Sequence, residues 1–276
     1  HNKGIEGTKG KLWWAIYALL QKKGKYAPNY LILENVDRLL RSPRDRKGRD
    51  FGVILSCLNQ LGYAVEWRVI NAADYGYPQK RKRVYILAYR KGTKLYRSVE
   101  QTNPEVWLTQ SGVFAKGFRA KAGGKLHIQD IPQSIEDALN NFSNEKNLFE
   151  NAGVMINGQC YHIKLISKYS GSYSTLKDVL LDPKDIPPSY FYPKNTLAKW
   201  KEVKGAKISP RICKSTNEPY LYREGKVAFP DPLDQPARTI LTKEIERHIC
   251  REKHIVKQGS RYRGLHPIEL ERLNGF

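Results

Sequence analysis

The chain has 276 residues, enough for one large or two modest domains, and its 40% hydrophobic content can build a core, which excludes a disordered linker. Its 48 Lys and Arg against 27 Asp and Glu leave a net charge of +21, a surplus that points to a polyanionic partner, of which nucleic acid is the commonest. The longest apolar stretch, residues 12–20, is too short to span a bilayer, and no secretory signal pattern opens the chain.

In chain order, Leu12, Ile16, Leu19 and Leu20 fall on one face of a helix over 11–21. "YLIL" at 30–33 reads as a short, fully buried strand that ends in Glu34 and Asn35. Phe51, Ile54, Leu55, Leu58 and Leu61 recur at helical spacing over 48–61, and Gly62 closes that helix. Residues 63–70 set Ala64, Glu66 and Arg68 against Val65, Trp67 and Val69, the alternation of a strand. A strand, a helix and a strand in that order make a right-handed parallel crossover. The strand at 84–89 follows too soon for another crossover helix, which predicts an antiparallel pair with 63–70 at the edge of an otherwise parallel sheet.

From residue 91 the texture turns to short polar segments rich in Gly, Pro, Asn and Ser. Residues 91–258 read as a second, irregular, mainly β or mixed domain, with a helix at 134–142 and an extended loop at 183–195. A helix closes the chain, with Pro267 at its start, Gly275 at its end, and Glu269 and Arg272 as an i,i+3 pair. The chain opens on His1 and its single Met is Met155, which predicts a piece of a longer or processed polypeptide. Cys57, Cys160, Cys213 and Cys250 stand far apart without a C-x-x-C pair, so neither a metal site nor a disulfide framework is expected, and the setting is reducing.

In an open α/β sheet, ligands bind beyond the carboxyl ends of the strands, which is where Glu34 and Asn35 fall. By position alone Glu34 serves equally well as a cap of the following turn. Gln79, Arg81 and Arg83 stand at alternate positions leading into a strand and so point to one face, where two guanidiniums suit a phosphate or a base carbonyl. Alone, that run is more readily a solvated basic turn.

The combination is more specific than its parts. A strand ending in Glu34-Asn35-Val36, then a helix, a strand and "YGYPQKRKR" at 75–83, resembles the cytosine-C5 DNA methyltransferases of bacteria and phages. Gln79, Arg81 and Arg83 match that family's Gln-x-Arg-x-Arg motif. "DPLDQPARTILTKE" at 231–244 is similar to the Thr-aliphatic signature of its target-recognition domain, here Thr239-Ile240, and "RYRGLHPIELERLNGF" at 261–276 to a further family segment, with His266 in place of the usual Thr.

The resemblance implies an α/β fold: part of a class I, Rossmann-like methyltransferase sheet with an antiparallel edge strand, plus a mixed, mainly β target-recognition domain. Residues 1–90 would belong to the catalytic domain, 91–258 to target recognition, and 259–276 to a helix at their hinge. Glu34 would protonate or hydrogen-bond N3 and the exocyclic amine of a flipped cytosine and Arg83 would hold O2. Arg81 would support the nucleophile loop or a phosphate, while Asn35, Val36 and Gln79 shape the pocket and Thr239, with Arg238, contacts DNA. Lys199, Trp200, Lys201, Lys204, Lys207, Arg211, Lys214, Tyr220, Tyr222 and Arg223 interleave charge with aromatics, as DNA-contacting surfaces do, although solvated charge over a β core accounts for them nearly as well. The implied cofactor is S-adenosylmethionine and the partner double-stranded DNA, in the cytoplasm of a bacterial or phage-infected cell, at the nucleoid, within a restriction-modification system.

The family's thiol lies in a Pro-Cys pair ahead of Glu-Asn-Val, but here Ser56, Gln159, Ile212 and Ile249 precede the four cysteines. The glycine-rich cofactor loop and the final Gly-Asn motif are missing as well, so the chain is expected to be inactive alone. A second chain carrying the N-terminal half would complete it. The alternatives are a non-catalytic DNA-binding or target-recognition subunit of a split enzyme, and an RNA-directed relative, which the long insert after Arg90 disfavours.

Overall fold

The computed structural model describes residues 4–7, 10–143, 148–213, 217–245 and 248–276. These form two compact units, His1–Ile70 with Lys82–Ser170 and Asn71–Arg81 with Gly171–Phe276.

The first unit holds helices α1 (Lys11–Lys23), α2 (Arg49–Gln60), α3 (Lys94–Gln101), α4 (Pro104–Val106), α5 (Val113–Gly117) and α6 (Ile135–Asn140). Its strands are β1 (Tyr30–Val36), β2 (Tyr63–Asn71), β3 (Lys82–Arg90), β4 (Ala120–Ala122), β5 (His127–Asp130), β6 (Ala152–Ile156), β7 (Gln159–Ile163) and β8 (Leu165–Ser167). Six of them make one sheet in the order β1-β3-β2-β6-β7-β5, while β4 pairs with β8. The class is mixed α/β, yet neighbouring strands run antiparallel. Bonds from Lys91 N to Gly62 O (2.8 Å) and from Ala72 N to Arg81 O (3.0 Å) bracket β2 and β3 in the same sense.

The expected edge pair is therefore corrected: β3 inserts between β1 and β2. The connection after β2 is too short to cross over, so the chain turns straight back, and β3 takes the place beside β1 while β6 takes the far side of β2. The expectation of a fully buried β1 fails as well. Among the described residues it pairs with β3 alone, and Tyr30 and Ile32 are 52% and 71% exposed. In α1 the core face is Trp13, Tyr17 and Leu20, while Leu12 and Leu19 face outward. The two stripes share a helical spacing, and the one carrying the larger aromatic area turns inward.

α2 is buried nearly all round, and Phe51 meets Trp67 and Phe149 edge to face at 5.1 and 5.0 Å. Gly153 on β6 lies opposite Trp67, where a Cβ would stand 2.1 Å from the indole, so this pairing needs glycine. β2 is buried on both faces along most of its length. Its Glu66 is fully buried and accepts from Tyr89 Oη (2.7 Å), Trp107 Nε1 (3.0 Å) and Phe114 N (3.3 Å). Burial pushes that carboxyl above the usual range, against the pull of those three donors and of Arg68. The segment from α3 to α5 thus closes over β2, and β6 and β7 extend its sheet. This compact unit runs on to Ser170. α6 matches the expected helix, with Ser134 Oγ accepting from Asp137 N at 3.0 Å as its cap.

The second unit holds α7 (Leu176–Val179), α8 (Leu197–Lys204), the antiparallel pair β9 (Lys207–Ile212) and β10 (Pro219–Glu224), the pair β11 (Val256–Gln258) and β12 (Arg261–Arg263), and α9 (Pro267–Leu273). The expected loop at 183–195 contains three short 3-10 turns, Pro183–Asp185, Pro188–Tyr190 and Lys194–Thr196. At α9 the ring of His266 does the work of a capping hydroxyl: Nδ1 accepts from Ile268 N at 3.4 Å, and Glu269 accepts from His266 N at 2.8 Å. Glu269 is not the partner of Arg272, whose guanidinium donates to Val179 O. It is fully buried and bidentate with the equally buried Arg263, at 2.8 and 2.6 Å, and accepts from Leu181 N as well. No helix among the described residues is long and apolar enough to cross a membrane.

Removing one partner of such a pair strands the other charge in the interior. Arg263→Ala is expected to destabilise the second unit by about 3–5 kcal/mol, read as a lowered denaturant midpoint.

Candidate functional site

The register of β1 with β3 pairs Val36 with Arg83, Asn35 with Val84 and Glu34 with Tyr85. Glu34 and Arg83 are therefore diagonal neighbours on one face of the ladder, within reach of two long side chains. They meet: Arg83 Nε lies 2.8 Å from Glu34 Oε1, with the two side chains 19% and 44% exposed. Arg83 Nη1 also donates to Lys82 O at 2.7 Å, which anchors the guanidinium. Asn35 folds back on its own backbone, its Oδ1 accepting from Val36 N at 2.8 Å, and Val36 leads into the turn Asp37–Arg41. The strand end thus offers a carboxylate and a guanidinium side by side, open to solvent. An acceptor beside a set of donors can grip a planar ligand edge that has a donor next to an acceptor.

The alternation of Gln79, Arg81 and Arg83 is not carried by one strand, because β3 begins at Lys82. Gln79 belongs to the second unit, where it bridges in parallel with Ala237 and is 1% exposed. Its amide donates to Leu273 O at 2.9 Å and Asn274 Oδ1 at 3.4 Å, at the end of α9. Around it Ala237 N donates to Pro78 O and Lys80 N to Ala237 O, both at 2.7 Å, and Thr239 Oγ1 donates to Lys80 O at 2.5 Å. Three separate sequence motifs, those of Gln79, Thr239 and α9, are thereby knotted together within one unit. Arg81, half-buried, also belongs to that unit.

Arg238 uses its guanidinium internally. Nε donates to Asp231 Oδ1 at 2.7 Å, and the terminal nitrogens donate to the carbonyls of Glu252 and Lys253. Burial alone would raise the Asp231 carboxyl, but Arg238 and the N–H of Ile255 hold it below its usual range. Lys204, expected on a DNA-contacting surface, is 1% exposed, bonded to Lys253 O and 3.7 Å from Asp231, and burial pushes its ammonium down to about 8. Trp200 is likewise in the core. Lys207, Arg211, Tyr220, Tyr222 and Arg223 sit on β9 and β10, and Lys214 lies outside the described residues.

Among the described residues, sequence reasoning missed Glu66 and Asp231 as buried carboxylate hubs. An acid and a base, Glu66 and Arg68, in a strand of mostly apolar residues were the available signal for Glu66; nothing local marks Asp231. No group of three or more His, Cys, Asp or Glu that could hold a metal ion occurs among the described residues.

A family model described as C-5 cytosine-specific DNA methylase matches residues 1–276. Type II methyltransferase M.Sau3AI of Staphylococcus aureus is 40% identical over 276 residues, which cover 99% of this chain and 64% of that protein. Type II methyltransferase M.NlaIV of Neisseria lactamica is 42% identical over 87 residues, 30% of this chain and 20% of its own length. The solved structure of the Entamoeba histolytica methyltransferase EhMeth aligns over 99% of this chain and 58% of its own, at 16% identity and a TM-score of 0.46. The chain spans less than two thirds of these proteins, and its match to the family model runs from end to end: it belongs to the C-5 cytosine-specific DNA methylase family.

Proposed function

We propose that this chain is the base-binding and target-recognition portion of an enzyme that transfers a methyl group from S-adenosylmethionine to C5 of a cytosine flipped out of duplex DNA. The observation that carries the reading is the Glu34–Arg83 pair at 2.8 Å, seated at the strand end where the family's Glu-Asn-Val motif falls. The edge of a flipped cytosine offers an amine donor at N4 beside N3 and an acceptor at O2. Glu34 accepts from the amine and from a protonated N3, and Arg83 donates to O2. When a thiolate adds at C6, negative charge builds on N3 and O2, so both contacts tighten in the transition state. Asn35 and Val36 shape the strand exit, Gln79 secures the segment leading into β3, and Arg81 supports the nucleophile loop or a phosphate. Target recognition is assigned to residues 91–258 and the link to the catalytic part to 259–276, with Thr239 and Arg238 holding that surface in shape.

The chain's own residues do not fit S-adenosylmethionine. β1 runs into Asp37–Arg41 and β2 into Ala72–Tyr75, turns that carry side chains where a nucleotide cradle needs glycines. No contact with the cofactor is therefore assigned here.

Nor do the cysteines fit the nucleophile. Cys57, Cys160 and Cys250 are buried, and burial pushes the Cys57 thiol up to about 11 and that of Cys160 higher still. An attacking thiol needs exposure and a lowered pKa. Cys213 is half-buried in the second unit. With an aromatic disulfide reagent, Cys213 is expected to react first in the native protein, and the other three with global unfolding; prompt reaction of Cys57 would contradict its place in the core.

The isolated chain is expected to bind duplex DNA with an affinity that falls steeply with salt and to transfer no methyl group. Formation of 5-methylcytosine by this chain alone would overturn the assignment of the thiol to another segment. When a polypeptide carrying the Pro-Cys pair and the glycine-rich loop is supplied, methylation should appear. In that complex Glu34→Ala and Arg83→Ala are each expected to lose about 100-fold or more in turnover while DNA binding persists. Near-normal turnover in either variant would refute its role.

A further inference from the structure

β9 and β10 form a two-stranded ribbon that pairs with no other strand among the described residues. A two-stranded ribbon is marginal in water on its own. Here its base is clamped by Arg251, whose guanidinium donates to the carbonyls of Val203, Gly205 and Gly225 and lies 3.4 Å from Glu224. Beyond that clamp both faces are open. One face bears Ile208, Ile212 and Leu221, which are 61%, 64% and 58% exposed. The other bears Lys207, Arg211, Tyr220 and Tyr222, with the Arg211 guanidinium stacked 3.4 Å over the Tyr222 ring. A rigid base under a bare arm describes an element that a partner covers.

We propose that this ribbon enters the major groove of duplex DNA and that Arg211 is its base-reading donor. This rests on the DNA-methylase reading above and adds to it the element that discriminates sequence. A major groove about 12 Å wide admits a two-stranded ribbon. Lys207, Arg211 and Arg223 supply positive charge, and Glu224, the acid at the base, is already matched by Arg251. Stacking on Tyr222 fixes the plane of the Arg211 fork, which suits bidentate donation to O6 and N7 of guanine. The strong twist of a two-stranded ribbon brings its aliphatic row to the groove wall as well, where thymine methyl groups and sugars dehydrate Ile208, Ile212 and Leu221.

The test uses the full 276-residue chain, a random-sequence duplex pool and hydrogen exchange, with thermal melting to verify that each variant is folded. Duplex DNA is expected to slow exchange across 207–212 and 219–224. Arg211→Ala should weaken binding to the selected duplex about tenfold or more and relax preference at one guanine, and Arg211→Lys, which lacks the fork, should not restore that preference. The ribbon assignment falls if wild type binds and selects duplex DNA while the ribbon amides stay unprotected and Arg211→Ala selects the same sequence with the same affinity. It also falls if Ile212→Ser abolishes a concentration-dependent dimer and leaves duplex binding intact, since the ribbon would then belong to a second copy of the chain. Failure of the wild-type chain to bind any duplex would instead remove the reading on which the ribbon assignment stands.

Discussion

An antiparallel register slips in steps of one residue, and one step turns every side chain of the strand to the opposite face. The pairing of β1 with β3, from Tyr30 with Tyr89 to Val36 with Arg83, is what sets Arg83 diagonal to Glu34. The buried residues of β3, Val84, Ile86 and Ala88, fix that register through the core, and the charged pair inherits its geometry from them. The site is thus positioned by the apolar packing of the same strand, and the ion pair itself, partly exposed, adds little to stability.

The second unit solves a different problem. Its elements are short, and buried polar knots join them: Arg263 with Glu269, Asp231 with Arg238 and Lys204, and Gln79 with the end of α9. Each is costly to desolvate and fails badly if one member is lost, so such knots specify one arrangement of irregular chain more than they strengthen it.

The elements of the first 90 residues were largely legible because strand and helix periods there are clean and a short turn excludes a crossover. What the periods could not convey was order in space. Whether β3 lies outside or inside β2 depends on β6 claiming the other edge of β2, a contact with residues 152–156 that no local pattern announces. Glu34 and Arg83 were legible as a pair through their motifs, whereas Gln79 and Arg238 look like surface donors in sequence and prove to be internal ties, because a guanidinium or an amide gives no local sign of which carbonyl it will reach. The closing helix shows the same limit at smaller scale: Glu269 passes over its helical neighbour Arg272 for Arg263 on another element.

The outward edge of β1 has a consequence for what can join the sheet. Among the described residues no strand pairs with β1 on the side away from β3, so its backbone donors and acceptors there, flanked by Tyr30 and Ile32, are a template for any extended segment that would complete the sheet. A cationic residue at position 32 is the smallest change that would blunt that template.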